Sequence, residues 1–142
     1  MQVYNLEREL DQALQEKVWL KSGGFLIIQQ TEAFVAIDVN TGKHSSKKDA
    51  EENYKQINRE AALEIARQLR LRNLSGMILV DFINMKNTND QSELLQYMGS
   101  LVRSDPMQTV VVDVTALGIM EITRKKSAKT LAEQLLQLKK GE

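Results

Sequence analysis

The chain has 142 residues, 42% of them hydrophobic, with 19 basic and 19 acidic side chains and no cysteine. That length and apolar content suit one compact domain with a buried core, and the missing thiols exclude disulfides and thiolate zinc sites. No apolar run approaches the roughly 20 residues that cross a bilayer, and the acidic, amphipathic start MQVYNLERELDQ is no secretory signal, so a soluble, cytoplasmic protein is expected.

The N-terminal segment predicts a helix capped by Asn5, with an apolar stripe of Leu6, Leu10, Ala13 and Leu14. VWLKSGGFLII then reads as two strands joined at Gly23-Gly24, and Ala33 to Val39 as a third. TGKHSSKKD is loop-like. Asp49 and Glu52 form a capping-box pattern that opens a long helix to about Arg72, with Tyr54, Ile57, Ala61, Ile65 and Leu69 inside. The continuous apolar run MILVDF predicts a strand covered on both faces, as in parallel pairing. A helix from about Asp90 to Arg103 follows, stopped by Asp105 and Pro106, and TVVVDV is the fifth strand. A last helix is expected near Leu117, restarting at Ser127 with Leu131, Leu135 and Leu138. The order helix-βββ-α-β-α-β-α predicts an α/β (α+β layered) domain, a mixed five-stranded sheet flanked by helices.

Net charge is zero, so bulk electrostatics do not announce a nucleic-acid partner, yet the charges are unevenly spread. Lys43 to Arg72 holds eight Lys or Arg and five Asp or Glu, and Arg124 to Lys140 six basic residues against Glu133 alone. Such segments track a phosphate backbone or simply solvate a helix face and a charged tail.

Three aspartates interrupt apolar strands: Asp38 in FVAIDVN, Asp81 in MILVDFIN and Asp113 in TVVVDVT. A carboxylate there is costly unless something satisfies it. Side chains alternate along a strand, so Asp38 and Asn40 face the same way. Asp38 and Asp81 also lie at strand C-termini, where open α/β sheets place their sites. If those strands are neighbours, two carboxylates and an amide meet at one rim. Like charges that close raise each other's pKa, and a divalent cation relieves the conflict. An all-oxygen donor set favours magnesium, with manganese able to substitute. The bland alternative makes each aspartate a helix or loop cap. For Asp113 the cap of the helix near Leu117 is the favoured reading over a third ligand. Glu121 reads as a helix-face residue, and His44, the only histidine, as loop decoration rather than a proton shuttle.

EAFVAIDVNTGK, followed by NREAALEIARQLRLRNLSGMILVDFINM, closely resembles the catalytic core of the ribonuclease E/G family. The SGG turn and GIMEITRKK add to the match, which runs from about residue 5 to 126. The resemblance implies that residues 1–142 are one deoxyribonuclease-I-like catalytic subdomain, with the last ~15 residues a helical or frayed tail. It implies Asp38 and Asp81 as magnesium ligands and Asn40 as the amide that orients a ligand carboxylate. It implies metal-assisted hydrolysis of single-stranded RNA, leaving 5′-phosphate and 3′-hydroxyl ends. Asp113 and His44 match no catalytic position of the family. Lys43, Arg124, Lys125 and Lys126 are candidate phosphate contacts on charge and placement; Arg67, Arg70 and Arg72 equally suit a helix C-terminus.

The family's enzymes also carry an oligonucleotide-binding barrel, a pocket for the 5′-monophosphate, a ribonuclease-H-like part and a CPxCxG zinc link between protomers. None of these is expected in this chain, which reads as an excised domain or truncated homologue with latent activity. Two further readings stand beside the endoribonuclease. One is a scaffold inactive alone that forms homo-oligomers through apolar surfaces. The other is a metal-dependent phosphatase or deoxyribonuclease on the same carboxylates.

Overall fold

A computed structural model describes residues 15–42, 49–126 and 138–139. The expected N-terminal helix, and the helical restart at Ser127 up to Gln137, lie outside the described residues, as do Lys43 and His44.

Leu26, Ile28, Val35, Ile37 and Val39 are buried in alternation with more exposed neighbours in a meander of β1 (Lys17–Trp19), β2 (Phe25–Gln30) and β3 (Val35–Asn40). The β1–β2 turn closes through Leu20 N–H to the Gly24 carbonyl at 2.8 Å. Helix α1 (Ala50–Leu71) carries the chain across to β4 (Gly76–Asp81), which pairs parallel with β3. Helix α2 (Thr88–Arg103) then leads to β5 (Thr109–Val114) and β6 (Met120–Arg124). The sheet order is β1-β2-β3-β4-β6-β5.

The sheet therefore has six strands where the sequence predicts five. The helix expected near Leu117 does not form. A tight turn takes its place, with Thr115 N–H bonded to the Ile119 carbonyl and Gly118 N–H to that of Thr115. Met120–Arg124 then inserts antiparallel between β4 and β5. The reason is period: Met120 and Ile122 are buried while Thr123 is exposed, an alternation of two that suits a strand. Asp113 consequently caps no helix, and Glu121 lies on a strand; a register shift at Val112 sets the two opposite each other.

Helix boundaries follow the local chemistry with two changes. Asp49 precedes α1 without a side-chain cap hydrogen bond, so the expected capping box is not formed; its carbonyl accepts Asn53 N–H. Helix α2 starts earlier than expected because the Asn87 side chain accepts the N–H groups of Asn89 and Asp90. At the other end of α1, Asn73 takes φ 51°, the left-handed turn that Asn tolerates best after glycine.

Ile57, Ala61, Ile65 and Leu69 of α1, with Leu94, Met98 and Val102 of α2, bury one face of the sheet against Leu26, Ile37, Ile78, Val80 and Ile122. At ~25 cal/mol per Å² of apolar surface this layer supplies the main driving force for folding. Tyr54 packs only partly into it. The opposite face carries no helix among the described residues. Met77 is 43% exposed there, so β4 is parallel to β3 as expected but covered on one side only.

Candidate metal centre

Parallel pairing of β3 and β4 sets Asp38 directly opposite Asp81 in register. In-register residues share a face. Ile37 and Val80 occupy the adjacent register position and are buried under the helices, so the two aspartates stand on the helix-free side. Both are exposed. They sit at the C-terminal ends of their strands, as the sequence predicts. Asn40, two residues on, donates from Nδ2 to Asp38 Oδ2 at 3.3 Å.

Burial pushes the Asp81 carboxyl above its ordinary value, and the neighbouring Asp38 charge pushes it the same way. A divalent cation between them removes that penalty. No group of three or more His, Cys, Asp or Glu side chains arranged to hold a metal occurs among the described residues. Two carboxylates and an amide nonetheless fit magnesium, which keeps several waters and is held by one or two carboxylates plus substrate phosphate. The donor set is oxygen only, which disfavours zinc.

A residue that sequence reasoning missed fixes the loop that leaves Asp81. Asn58 of α1, fully buried, donates Nδ2 to the Ile83 carbonyl at 2.8 Å and accepts Ile83 N–H on Oδ1 at 3.0 Å. The signal was available: Asn58 neighbours Ile57 on the inner stripe, where an amide needs a partner. Beyond that loop a cleft of about 300 Å³ opens between Asp81, Asn84 and the β5–β6 turn at Leu117 and Gly118.

Glycines seat the β1–β2 turn beside the same rim. A Cβ on Gly24 would meet the Asn40 carbonyl oxygen at 2.7 Å, and one on Gly42 would collide with the Gly23 carbonyl. Ser22 N–H also reaches Glu60 of α1 at 3.0 Å.

The basic residues are placed otherwise than expected. Arg124 is 4% exposed, with Nε on Asp105 Oδ2 at 2.8 Å and Nη1 on the Leu74 carbonyl at 2.9 Å and Asn73 Oδ1 at 3.0 Å. Its guanidinium is committed inside the fold. Arg72 is likewise buried, bonding Gln68 Oε1 at 2.7 Å and the Gln15 carbonyl. Arg67 pairs with Glu64, and Arg70 is exposed. Lys125 and Lys126 are exposed, but β6 ends beside Gly76, at the start of β4. At ~3.3 Å per residue they stand about 20 Å or more along the sheet from Asp81. Lys17 is the cation that the register does bring near, in the row Lys17, Ile27, Asp38, Asp81.

Asp113 and Glu121 make a second carboxyl pair. A hydrogen bond that the Glu121 carboxyl donates to Asp113, then the Asp113 charge and partial burial, raise the Glu121 pKa.

The Ribonuclease E/G family profile matches residues 1–127. Ribonuclease G of Escherichia coli is 41% identical over 133 residues, which is 94% of this chain and 27% of that protein. Ribonuclease G of Haemophilus influenzae is 42% identical with the same coverage. Ribonuclease E of a Nostoc species is 40% identical over 133 residues, 94% of this chain and 19% of that protein. The chain thus spans about a quarter or less of the length of these relatives. With Asp38, Asn40 and Asp81 inside the matched span, the chain belongs to the ribonuclease E/G family.

Proposed function

We propose that this chain is one catalytic subdomain, the magnesium-binding part of an endoribonuclease that hydrolyses single-stranded RNA in the cytoplasm during RNA processing and decay. The observation that carries this reading is the in-register pairing of Asp38 with Asp81 on the open sheet face, in a chain of this family.

Asp38 and Asp81 are the residues that hold the metal, and manganese serves in place of magnesium. When bound, such an ion offsets charge on the phosphate and lowers the pKa of water. Asn40 keeps the Asp38 carboxylate in one orientation through its Nδ2 hydrogen bond, and Asn58 fixes the backbone just beyond Asp81. Such preorganisation lowers the reorganisation needed as charge develops. In the reaction, water oxygen bonds to phosphorus, the bond to O3′ breaks and that oxygen takes a proton. The ends are a 5′-phosphate and a 3′-hydroxyl. The cleft beside Asp81 gives room for the substrate strand.

Manganese titration of the isotope-labelled chain tests the site. Paramagnetic broadening confined to amides around Asp38, Asn40 and Asp81 is the expected result. Broadening elsewhere, or none at millimolar metal, overturns a preformed site. In the full-length enzyme, Asp38→Asn and Asp81→Asn are each expected to abolish metal-dependent cleavage with the fold intact, and retained cleavage in either overturns the assignment.

A second reading, a scaffold that is inactive alone and associates with itself, draws on Met77, Val110 and Val112, which are 43%, 47% and 54% exposed. Mass measured over a range of concentrations distinguishes it. Assays on RNA, DNA and a phosphate monoester separate the endoribonuclease from a phosphatase or deoxyribonuclease on the same carboxylates.

A further inference from the structure

Trp19, the only tryptophan of the chain, is 62% exposed. A large aromatic side chain left in water on a three-residue edge strand contributes little to folding. Its ring lies 5.2 Å from that of Phe25, tilted by 59°. Lys17 Nζ stands 4.2 Å from both ring centroids, within cation–π range.

The register places this group beside the metal centre. Trp19 pairs with Phe25 and Phe25 with Asn40, while Lys17 pairs with Ile27 and Ile27 with Asp38. All share the open face. Two strand spacings put the Trp19 backbone about 10 Å from Asn40, within reach of a nucleotide or two. The close approach of Gly24 to the Asn40 carbonyl fixes that distance.

We propose that Trp19, Phe25 and Lys17 form a stacking platform for single-stranded RNA. The rings take a base flanking the scissile phosphate, and the Lys17 ammonium takes a neighbouring phosphate. Every base has a π face, so the platform is sequence-tolerant, and an exposed ring beside an exposed cation supplies both recognition elements of a single strand. The platform rests on the endoribonuclease reading of Asp38 and Asp81, and the two fail separately in the test below.

Trp19 reports its own occupancy by fluorescence. A short single-stranded oligoribonucleotide titrated into the 142-residue chain is expected to quench it saturably, and the duplex of the same sequence to quench it far less. Phe25→Leu is expected to weaken the quenching titration severalfold. Trp19→Leu, followed by anisotropy of labelled RNA, should weaken binding about tenfold. Lys17→Ala should lower the dependence of log affinity on log salt by about 0.7. Both Lys17 and Trp19 are exposed, so these two variants fold. Manganese broadening at Asp38 and Asp81 without any quenching overturns the platform and leaves the metal pair standing. Equal quenching by duplex overturns it too. So does a concentration-dependent blue shift without RNA, which means that a second copy of the chain covers the rings.

Discussion

Arg124 shows how differently a residue reads in a string and in a fold. In TRKK it looks like one of three cations awaiting a phosphate; in space its guanidinium and the Asp105 carboxylate are only 3% and 2% exposed. Arg124→Ala leaves Asp105 buried and unpaired and is expected to cost about 3 kcal/mol in urea denaturation, against less than about 0.5 kcal/mol for Lys125→Ala. Burial alone would raise the Asp105 carboxyl. The Arg124, Met107 and Thr109 hydrogen bonds and the Arg124 charge outweigh it and hold the carboxyl below its ordinary value. A depressed folded pKa contributes stability above the unfolded carboxylate pKa and loses it as pH falls through the folded one. Acid should therefore destabilise the native chain more steeply than an Asp105→Leu, Arg124→Met double variant. Glu121 has the opposite sign. Its raised pKa means that the folded state holds the proton more tightly, so ionisation opposes folding at neutral pH. Glu121→Gln is expected to raise Tm at pH 7 and to have a smaller effect in acid, where the Glu121 carboxyl is already protonated. That Asp38, Asn40 and Asp81 share one rim was legible from sequence, because a charge in an apolar strand is conspicuous and alternation puts Asn40 on the Asp38 side. The burial of Arg124 was not, because its partners Asp105, Asn73 and Leu74 lie far away in the chain.

At the scale of elements, hairpins and helices with strong local signals came through: the SGG turn, the long α1 stripe and the stop at Asp105-Pro106. What failed was the short stretch Met120–Arg124. Reading a last helix from near Leu117, restarting at Ser127, masked the alternation of Met120, Glu121, Ile122 and Thr123. Strand β6 is paired on both sides, and that pairing, not local propensity, settles its form. The β1–β2 turn and β3 are tied together by Gly24. Gly24→Ala brings a methyl within 2.7 Å of the Asn40 carbonyl, a backbone atom with little freedom to yield. A loss of about 1–3 kcal/mol is expected, with amide shifts concentrated at Asn40, measurable by thermal unfolding and heteronuclear spectra. Asn58→Leu leaves both backbone polar groups of the half-buried Ile83 without their partner and should cost about 1–2 kcal/mol, with a weaker manganese response at Asp81 than at Asp38.

For the whole molecule, the layering of helices on a mixed sheet was legible from the order of elements, but the one-sidedness was not. An apolar run such as MILV reads as doubly covered, whereas Met77 faces the open side and is 43% exposed. Sidedness depends on which faces α1 and α2 choose, and no single strand records that. The sheet is also polarised from end to end, with carboxylates and Lys17 at one rim and Lys125 and Lys126 at the other. The parallel register of β3 and β4 has a consequence for the folding chain itself. Strand side chains alternate, so a slip of β4 by one residue would turn Asp81 under the helices and Ile78 and Val80 into water. A bare carboxylate in that layer is far costlier than a misplaced methyl group. Asp81 is therefore also a sentinel of assembly: its charge rejects the nearest misfolded sheet as the strands come together.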